Sequence, residues 1–338
     1  MGDILHALPA VTALRKAHPS WVIDWVVEPR WRALLSAECA TSRDTTLQPI
    51  VDRLHLAPTK EWRRKPLSAN TLQHIRQMRS NLRECRYDVV LDLQGSIRSA
   101  VIGRMAGARR RIGEADPRER PARWLFTERV QTRGAHVIEQ DIELAASIAG
   151  DTLDPIQPML PVDPAAEAWA AELVGTAGQP IALINPGAGW GAKRWPPERY
   201  AAVARALALR GLRVLINAGP GEVALAGEIA RHSGGTAAVL APSLEQLIAV
   251  TRRVALVIAG DTGPLHLACA LGKPVVGIYG PTDPSRNGPF GSPFRVLRHP
   301  QSRRDHTRHE APEAGLLTIQ PDDVLRAAAE LLYPEASA

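Results

Sequence analysis

Two hydrophobic periods alternate along the second half of the chain. Apolar runs of four to seven residues at 181–185, 212–217, 237–240, 254–260 and 275–279 each end in Asn, Gly or Pro punctuation. Runs of that length bounded by turn residues predict buried strands. Between them, 165–174, 197–210, 223–232, the segment opened by Ser243 and the one after Gly263 carry apolar residues at helical spacing, as does 324–332 at the end. Strand and helix in strict alternation predict parallel βαβ units.

The first half follows the same rule less regularly. Leu5, Leu8, Val11 and Leu14 predict a helix over 10–18 reached through a loop. Strands follow at 21–27 and, weakly, 53–56, with a basic loop at 59–66 and a helix over 70–83. A buried strand at 87–94 runs into a helix opened by residues 95–100. The arginine-rich passage from Ala108 to Phe126 reads as a loop, and 136–149 as a helix. A parallel sheet normally places a strand before such a first helix, and in doubly wound folds that strand is central. Either the reading frame begins upstream of Met1 or the central strand has been lost. Four prolines between 155 and 164 mark the boundary, giving domains over 1–160 and 161–320 with a terminal helix and tail over 321–338.

Composition narrows the class. With 338 residues, 45% hydrophobic and 22% charged, the chain is expected to be globular and to hold two core-bearing domains. No run approaches the roughly 20 apolar residues of a membrane span, so a cytoplasmic protein, or one peripheral to a membrane's inner face, is expected. Cys39, Cys85 and Cys269 have no ligand spacing, which predicts buried thiols and neither a disulfide framework nor a zinc site. A net charge of +6 leaves anionic partners open. Nucleic acid is disfavoured, because the basic residues are not interleaved with stacking aromatics. His306 to Glu310 does not match a zinc helix and reads as solvated surface.

Candidate chemistry gathers on two loops. Gly187, Ala188, Gly189 and Gly191 precede Lys193 between a strand and a helix, where close backbone approach and one cation can cradle a phosphate. The loop matches neither a dinucleotide fingerprint nor a P-loop. The second loop, Gly260-Asp261-Thr262-Gly263-Pro264, starts a helix carrying His266, with Thr262 as a candidate cap. Both loops fall at the carboxyl ends of parallel strands, where open sheets bind ligands. Asp261 can accept from sugar hydroxyls, or act as a plain cap with His266 in the core.

Met1-Gly2-Asp3 with Leu8-Pro9-Ala10, Leu93-Gln94-Gly95, Asn185 to Gly187 through Lys193-Arg194-Trp195-Pro196, and Gly260 to Gly263 through His266 with Tyr279-Gly280-Pro281-Thr282 stand in order along the chain. Together they resemble the motifs of the lipopolysaccharide heptosyltransferases, glycosyltransferase family 9, and are more like the first transferase than the second. The resemblance implies a GT-B fold of two Rossmann-like doubly wound domains facing across a cleft. It implies inverting, metal-independent transfer from ADP-heptose, as substrate with no cofactor, to the anionic Kdo-lipid A inner core. A monomer at the membrane surface is expected.

By the same resemblance Asp3 is the general base, Lys193 the diphosphate lysine and Asp261 the donor-sugar contact. Gly187, Ala188, Gly189, Glu222, Pro242, Thr262, Gly263 and His266 complete the donor site, with Glu222 on the ribose. Arg63, Arg64, Gln94, Arg98 and Arg120 are the acceptor contacts, and Trp124, Leu125 and Phe126 face the bilayer. The chain departs from the family in lacking hydroxyl side chains at 188 and 189, a basic residue before Met-Gly-Asp, and cysteines over 301–315. Alternatives are a GT-B sugar-nucleotide epimerase or hydrolase, or transfer of another sugar.

Overall fold

The computed structural model describes residues 1–175, 178–302 and 310–333. They form two compact units: Met1–Leu5 with Val162–Ala338, and His6–Pro161.

The unit of residues 6–161 is entered along α1 (Gly2–Ala17). This helix starts at Gly2 rather than after Pro9, which lies inside it. Proline removes one helical hydrogen bond, and burial of the helix on all sides from Leu5 to Arg15 offsets that loss. Next come β1 (Asp24–Val27) and β2 (Arg53–Leu56), paired in parallel. The basic stretch after β2 is helical, forming α2 (Thr59–Arg64), and α3 (Ala69–Glu84) follows with Ser68 as its cap. Then come β3 (Val89–Asp92), α4 (Ile97–Met105), β4 (Arg110–Glu114), β5 (Glu128–Val130) and α5 (Val137–Ala149).

The arginine-rich passage therefore contains a strand, β4, with β5 just beyond its end. The β4 and β5 ladder is parallel, and Arg110 pairs with Glu128 across it at 2.8 Å. Two charges on a solvated sheet face satisfy each other, so the pairing leaves no apolar alternation to be seen locally. Phe126 is core: it is 6% exposed, and a Cβ on Gly113 would lie 2.4 Å from its ring. Only Trp124 of the expected bilayer trio is strongly exposed, at 70%.

Strands β1 and β2 form one sheet and β3, β4 and β5 another. No ladder joins β1 to β3 among the described residues. A polar knot ties the two pieces: the Tyr87 hydroxyl donates to Asp24 Oδ2 at 2.6 Å, and His55 Nε2 lies 2.8 Å from that hydroxyl.

The other unit holds a six-stranded parallel sheet ordered β11-β10-β9-β6-β7-β8. It is built from α6 (Pro164–Val174), β6 (Ile181–Asn185), α7 (Pro197–Leu209), β7 (Arg213–Asn217), α8 (Val223–His232), β8 (Ala237–Leu240) and α9 (Leu244–Thr251). After these come β9 (Leu256–Gly260), α10 (Gly263–Ala270), β10 (Val275–Tyr279), α11 (Pro284–Asn287), β11 (Phe294–Arg298) and α12 (Pro321–Leu332). Every residue of β6, β9 and β10 is buried. Helix α12 buries Val324 and Ala328 in this unit's core beside Tyr200 and Ile216, so it is part of the unit rather than a separate tail. Of the cysteines, Cys269 is buried, Cys85 half-buried and Cys39 exposed, against the expectation of three buried thiols. No helix among the described residues is long and apolar enough to cross a membrane.

Candidate active site

Strand order fixes the site. From β6 the chain runs outward through β7 and β8, then returns to the other side of β6 with β9, β10 and β11. The carboxyl ends of β6 and β9 are thus the topological switch point, where loops diverge and leave a crevice. The two loops of interest leave from these two strand ends.

The β6 loop is held by its own side chains. Trp195 is 2% exposed, donates from Nε1 to the Ile319 carbonyl at 3.1 Å and meets Tyr200 edge-to-face at 4.8 Å. This plug fixes the single 3-10 turn over Gly191–Lys193. The turn aims the Lys193 ammonium at the β9 loop, 4.2 Å over the Trp190 ring and in an ion pair with Asp261 Oδ2. On the β9 side, His266 Nε2 lies 3.4 Å from Asp261 Oδ1. Burial pushes the Asp261 carboxyl up, but His266 and the Lys193 charge outweigh it and hold the group well below the usual carboxylate range. Asp261 therefore stays ionised at physiological pH and acts as an acceptor.

Helix α10 begins without a side-chain cap. Thr262 sits at the capping position, yet its hydroxyl lies 3.2 Å from the Gly260 carbonyl and accepts from no helix N–H. The expected cap is absent, so the positive end of the helix is left to a ligand's negative charge. The side chain of Met1 lies over Gly263, where a Cβ would sit 2.5 Å from its sulfur, and Gly2 borders the His266 ring. Asp3 comes next, exposed in the first turn of α1.

Glu222 follows β7, accepts from Gly219 N at 2.9 Å, and occupies the space a side chain on residue 187 would need: a Cβ on Gly187 would lie 2.1 Å from Oε1. A glycine is required there so that the β6 loop can pass the carboxylate. Ala188 is half-buried and Gly189 exposed on the same loop. Pro242 follows β8, at the far edge of the sheet from β9. Lys193, Asp261, Thr262, Gly263 and His266 thus converge closely, Gly187 and Glu222 form a second contact, and Pro242 stands at the periphery.

Four buried residues around these strand ends have no role assigned from sequence, although Asn185, Tyr279 and Thr282 stand in the motifs of the resemblance. Both amide atoms of Asn185, Asn217 Oδ1, the Tyr279 hydroxyl and Thr282 Oγ1 have no hydrogen-bond partner among the described residues. Buried polar atoms are nearly always paired, so unpaired ones at a switch point mark a place where a polar ligand completes the bonding. Their signal in the sequence was an Asn closing each of two apolar strands, at 185 and 217.

In the unit of residues 6–161 the expected acceptor residues also gather at strand carboxyl ends. Glu28, just after β1, accepts from the Thr59 hydroxyl and from Lys60 N at 2.9 Å, and Arg98 donates to that same hydroxyl at 2.9 Å. This chain brings the start of α4 to α2, which carries Arg63 and Arg64, both exposed. Gln94 accepts from Ser96 at 3.3 Å. Arg120 is 3.7 Å from Asp116, exposed, and less firmly placed.

Asp24, His55 and Cys85 each bring one potential metal-ligand atom within 4.8 Å of the others. Burial raises the Asp24 carboxyl, while hydrogen bonds from His55, Tyr87 and Arg53 bring it below its ordinary value. Its charge is already matched by Arg53 at 3.0 Å, so the trio is a satisfied knot rather than a metal centre. The His306–His309 stretch lies outside the described residues.

A doubly wound parallel sheet with a cation, an uncapped helix start and unpaired amides at its switch point has the features of an enzyme site for a phosphate-bearing ligand. The comparisons make that class specific. Residues 75–316 match the family model described as glycosyltransferase family 9 (heptosyltransferase). The lipopolysaccharide heptosyltransferase 1 of Escherichia coli K12 is 30% identical over 306 residues, covering 89% of this chain and 91% of that protein. The protein of the same name from Pseudomonas aeruginosa is 28% identical over 304 residues, covering 86% and 79%. Among solved structures, E. coli heptosyltransferase WaaC with ADP superposes with a TM-score of 0.80 at 27% identity over 98% of this chain and 97% of that one. WaaC with ADP-2-deoxy-2-fluoro heptose gives 0.77 at 26%, covering 98% and 96%. The chain belongs to glycosyltransferase family 9, has the GT-B fold of its structural relatives, and is a glycosyltransferase similar to lipopolysaccharide heptosyltransferase 1.

Proposed function

We propose that this chain moves a heptose from ADP-heptose to the Kdo-lipid A inner core, inverting the anomeric carbon and using no metal or other cofactor. The observation that carries the reading is the Lys193–Asp261–His266 group beside the uncapped start of α10, with the first turn of α1 against it.

Each residue then has a role set by its chemistry. The Asp3 carboxylate takes the proton of the acceptor hydroxyl while that oxygen bonds to the anomeric carbon. The bond from that carbon to the diphosphate breaks, and its electron pair leaves on the ADP oxygen. Lys193 and the N–H groups opening α10, with Thr262 and Gly263, stabilise the growing negative charge, the task a metal performs elsewhere. Asp261, ionised at physiological pH, accepts from donor-sugar hydroxyls and keeps Lys193 in position; His266 orients it. Gly187, Ala188 and Gly189 supply backbone to the diphosphate, Glu222 accepts from the ribose, and Pro242 borders the nucleotide. Arg63, Arg64, Arg98 and Arg120, with Gln94, bind the carboxylates and phosphates of the acceptor by paired hydrogen bonds. Trp124 reaches the membrane surface on which that lipid sits, on the cytoplasmic side, and the protein acts as a monomer.

Purified protein with ADP-heptose and Kdo-lipid A is expected to yield ADP and a heptosylated lipid, undiminished by a chelator. The Asp3→Ala variant is expected to bind ADP-heptose and fail to transfer. Release of free heptose without acceptor at the same rate, or unimpaired turnover in Asp3→Ala, would overturn the reading.

A further inference from the structure

A second, arginine-lined cavity lies at the opposite, amino-terminal end of the strands in the unit of residues 6–161. It has a volume of about 540 Å³ and is lined by Arg83, Arg86, Tyr87, Asp88, Ala106, Gly107 and Arg109. Asp88 immediately precedes β3 and Arg109 immediately precedes β4, whereas the acceptor residues of the proposed reaction follow the carboxyl ends of the strands. We propose that this cavity binds a phosphate-bearing ligand, a phosphomonoester or the phosphate of a lipid headgroup, at a site separate from the reaction.

Charge is the first argument. Three guanidinium groups share the cavity with one carboxylate, Asp88. Arg83 is tethered through Nε to the Met105 carbonyl at 3.4 Å, while Arg86 and Arg109 take part in no ion pair among the described residues. All three arginines are exposed around the one opening, so an anion entering it can be met by more than one guanidinium. Guanidinium groups match phosphate oxygens in pairs, and the cavity is in the size range of small-ligand sites.

Backbone conformation is the second. Arg86, with φ of 52°, is the one non-glycine residue with positive φ among the described residues. It ends α3 at the place where glycine is the usual residue, because a side chain in the left-handed region costs free energy that glycine does not incur. A cavity-lining arginine kept in that conformation points to use of its side chain rather than to helix termination alone. Across the cavity Gly107, with φ of 80°, makes the turn that brings Arg109 back toward α3.

Arg86→Gly separates binding from folding, since it removes the charge and relieves the backbone. With saturating ADP present to occupy any nucleotide site, the protein is titrated calorimetrically with glycerol phosphate and, separately, sedimented with vesicles of phosphatidylglycerol or of phosphatidylcholine. Binding of glycerol phosphate identifies a free phosphomonoester as ligand; binding confined to phosphatidylglycerol vesicles identifies a headgroup. In either case Arg86→Gly with Arg109→Gln is expected to weaken binding by about tenfold or more, Arg86→Gly alone to raise Tm, and Asp88→Asn to tighten binding. Absence of binding to both probes, or binding unchanged in the double variant, would overturn the proposal. The outcome does not depend on whether heptose transfer is observed.

Discussion

The six-stranded sheet and the two small sheets of this protein are made from the same kind of unit and end up in different states. In the six-stranded sheet β6, β9 and β10 are buried along their whole length. In the other unit β2 is exposed at both ends, and β1 and β3 bury only their last residue. The difference is one of pairing. The central strands of the large sheet have a neighbour on each side, whereas β1 and β3 each have one and are linked by side chains through Asp24, His55 and Tyr87. A sheet flanked and paired on both sides fixes its strand ends, which suits the placement of Lys193 against Asp261. A sheet in two pieces leaves its loops tied by a chain of single bonds, from Glu28 through Thr59 to Arg98.

The largest test of this contrast is catalytic. Lys193→Ala is expected to lower turnover by about 10²–10³-fold, whereas Arg98→Ala, one of several acceptor cations, should change mainly the acceptor KM. Steady-state kinetics with each substrate varied would show it, and comparable losses of turnover in both would erase the distinction. Stability comes next. Ile184, 0% exposed in β6, should cost about 2–5 kcal/mol on truncation to Ala. Leu56, 45% exposed on β2, should cost under about 1 kcal/mol on the same change, as read from urea midpoints. Amide exchange should follow the same order, with β6 and β9 opening at higher free energy than β1 and β2.

A smaller effect is set by pH. The folded Asp261 carboxyl is depressed, so its contribution is complete above the unfolded value of 3.8 and is lost only as pH falls through the lower folded value. Acid titration of Asp261→Asn should therefore lack a stability loss, below that value, which the parent shows. Least of all should Thr262→Val matter to stability. Its hydroxyl caps no helix N–H, so thermal melting should register less than the ~1 kcal/mol usual for a lost cap.

The helices and strands of the large-sheet unit could be read one by one, because each buried strand there is an apolar run with its own turn residues. Strand β8 and helix α8 fall where the spacing predicts them. The same reasoning failed at β4, whose Arg110 looks like a loop residue until Glu128 of β5 is seen to neutralise it. It failed again at Phe126, taken as a surface residue and in fact packed on Gly113. Of the site, the sequence carries the two loops and, by resemblance, their roles. Nothing in it marks the Trp190 ring under Lys193 or Arg86 in a left-handed conformation.

What the chain determines alone is local: where apolar runs begin and stop, which glycines and prolines interrupt them, and which charged residues stand on the connecting loops. Strand order is not local. Only the folded sheet, by inserting β6 between β7 and β9, brings Lys193 to Asp261 across 68 residues and gathers three arginines around one cavity. Such neighbours are chosen by packing and charge compensation between segments remote in sequence, which no window of adjacent residues records.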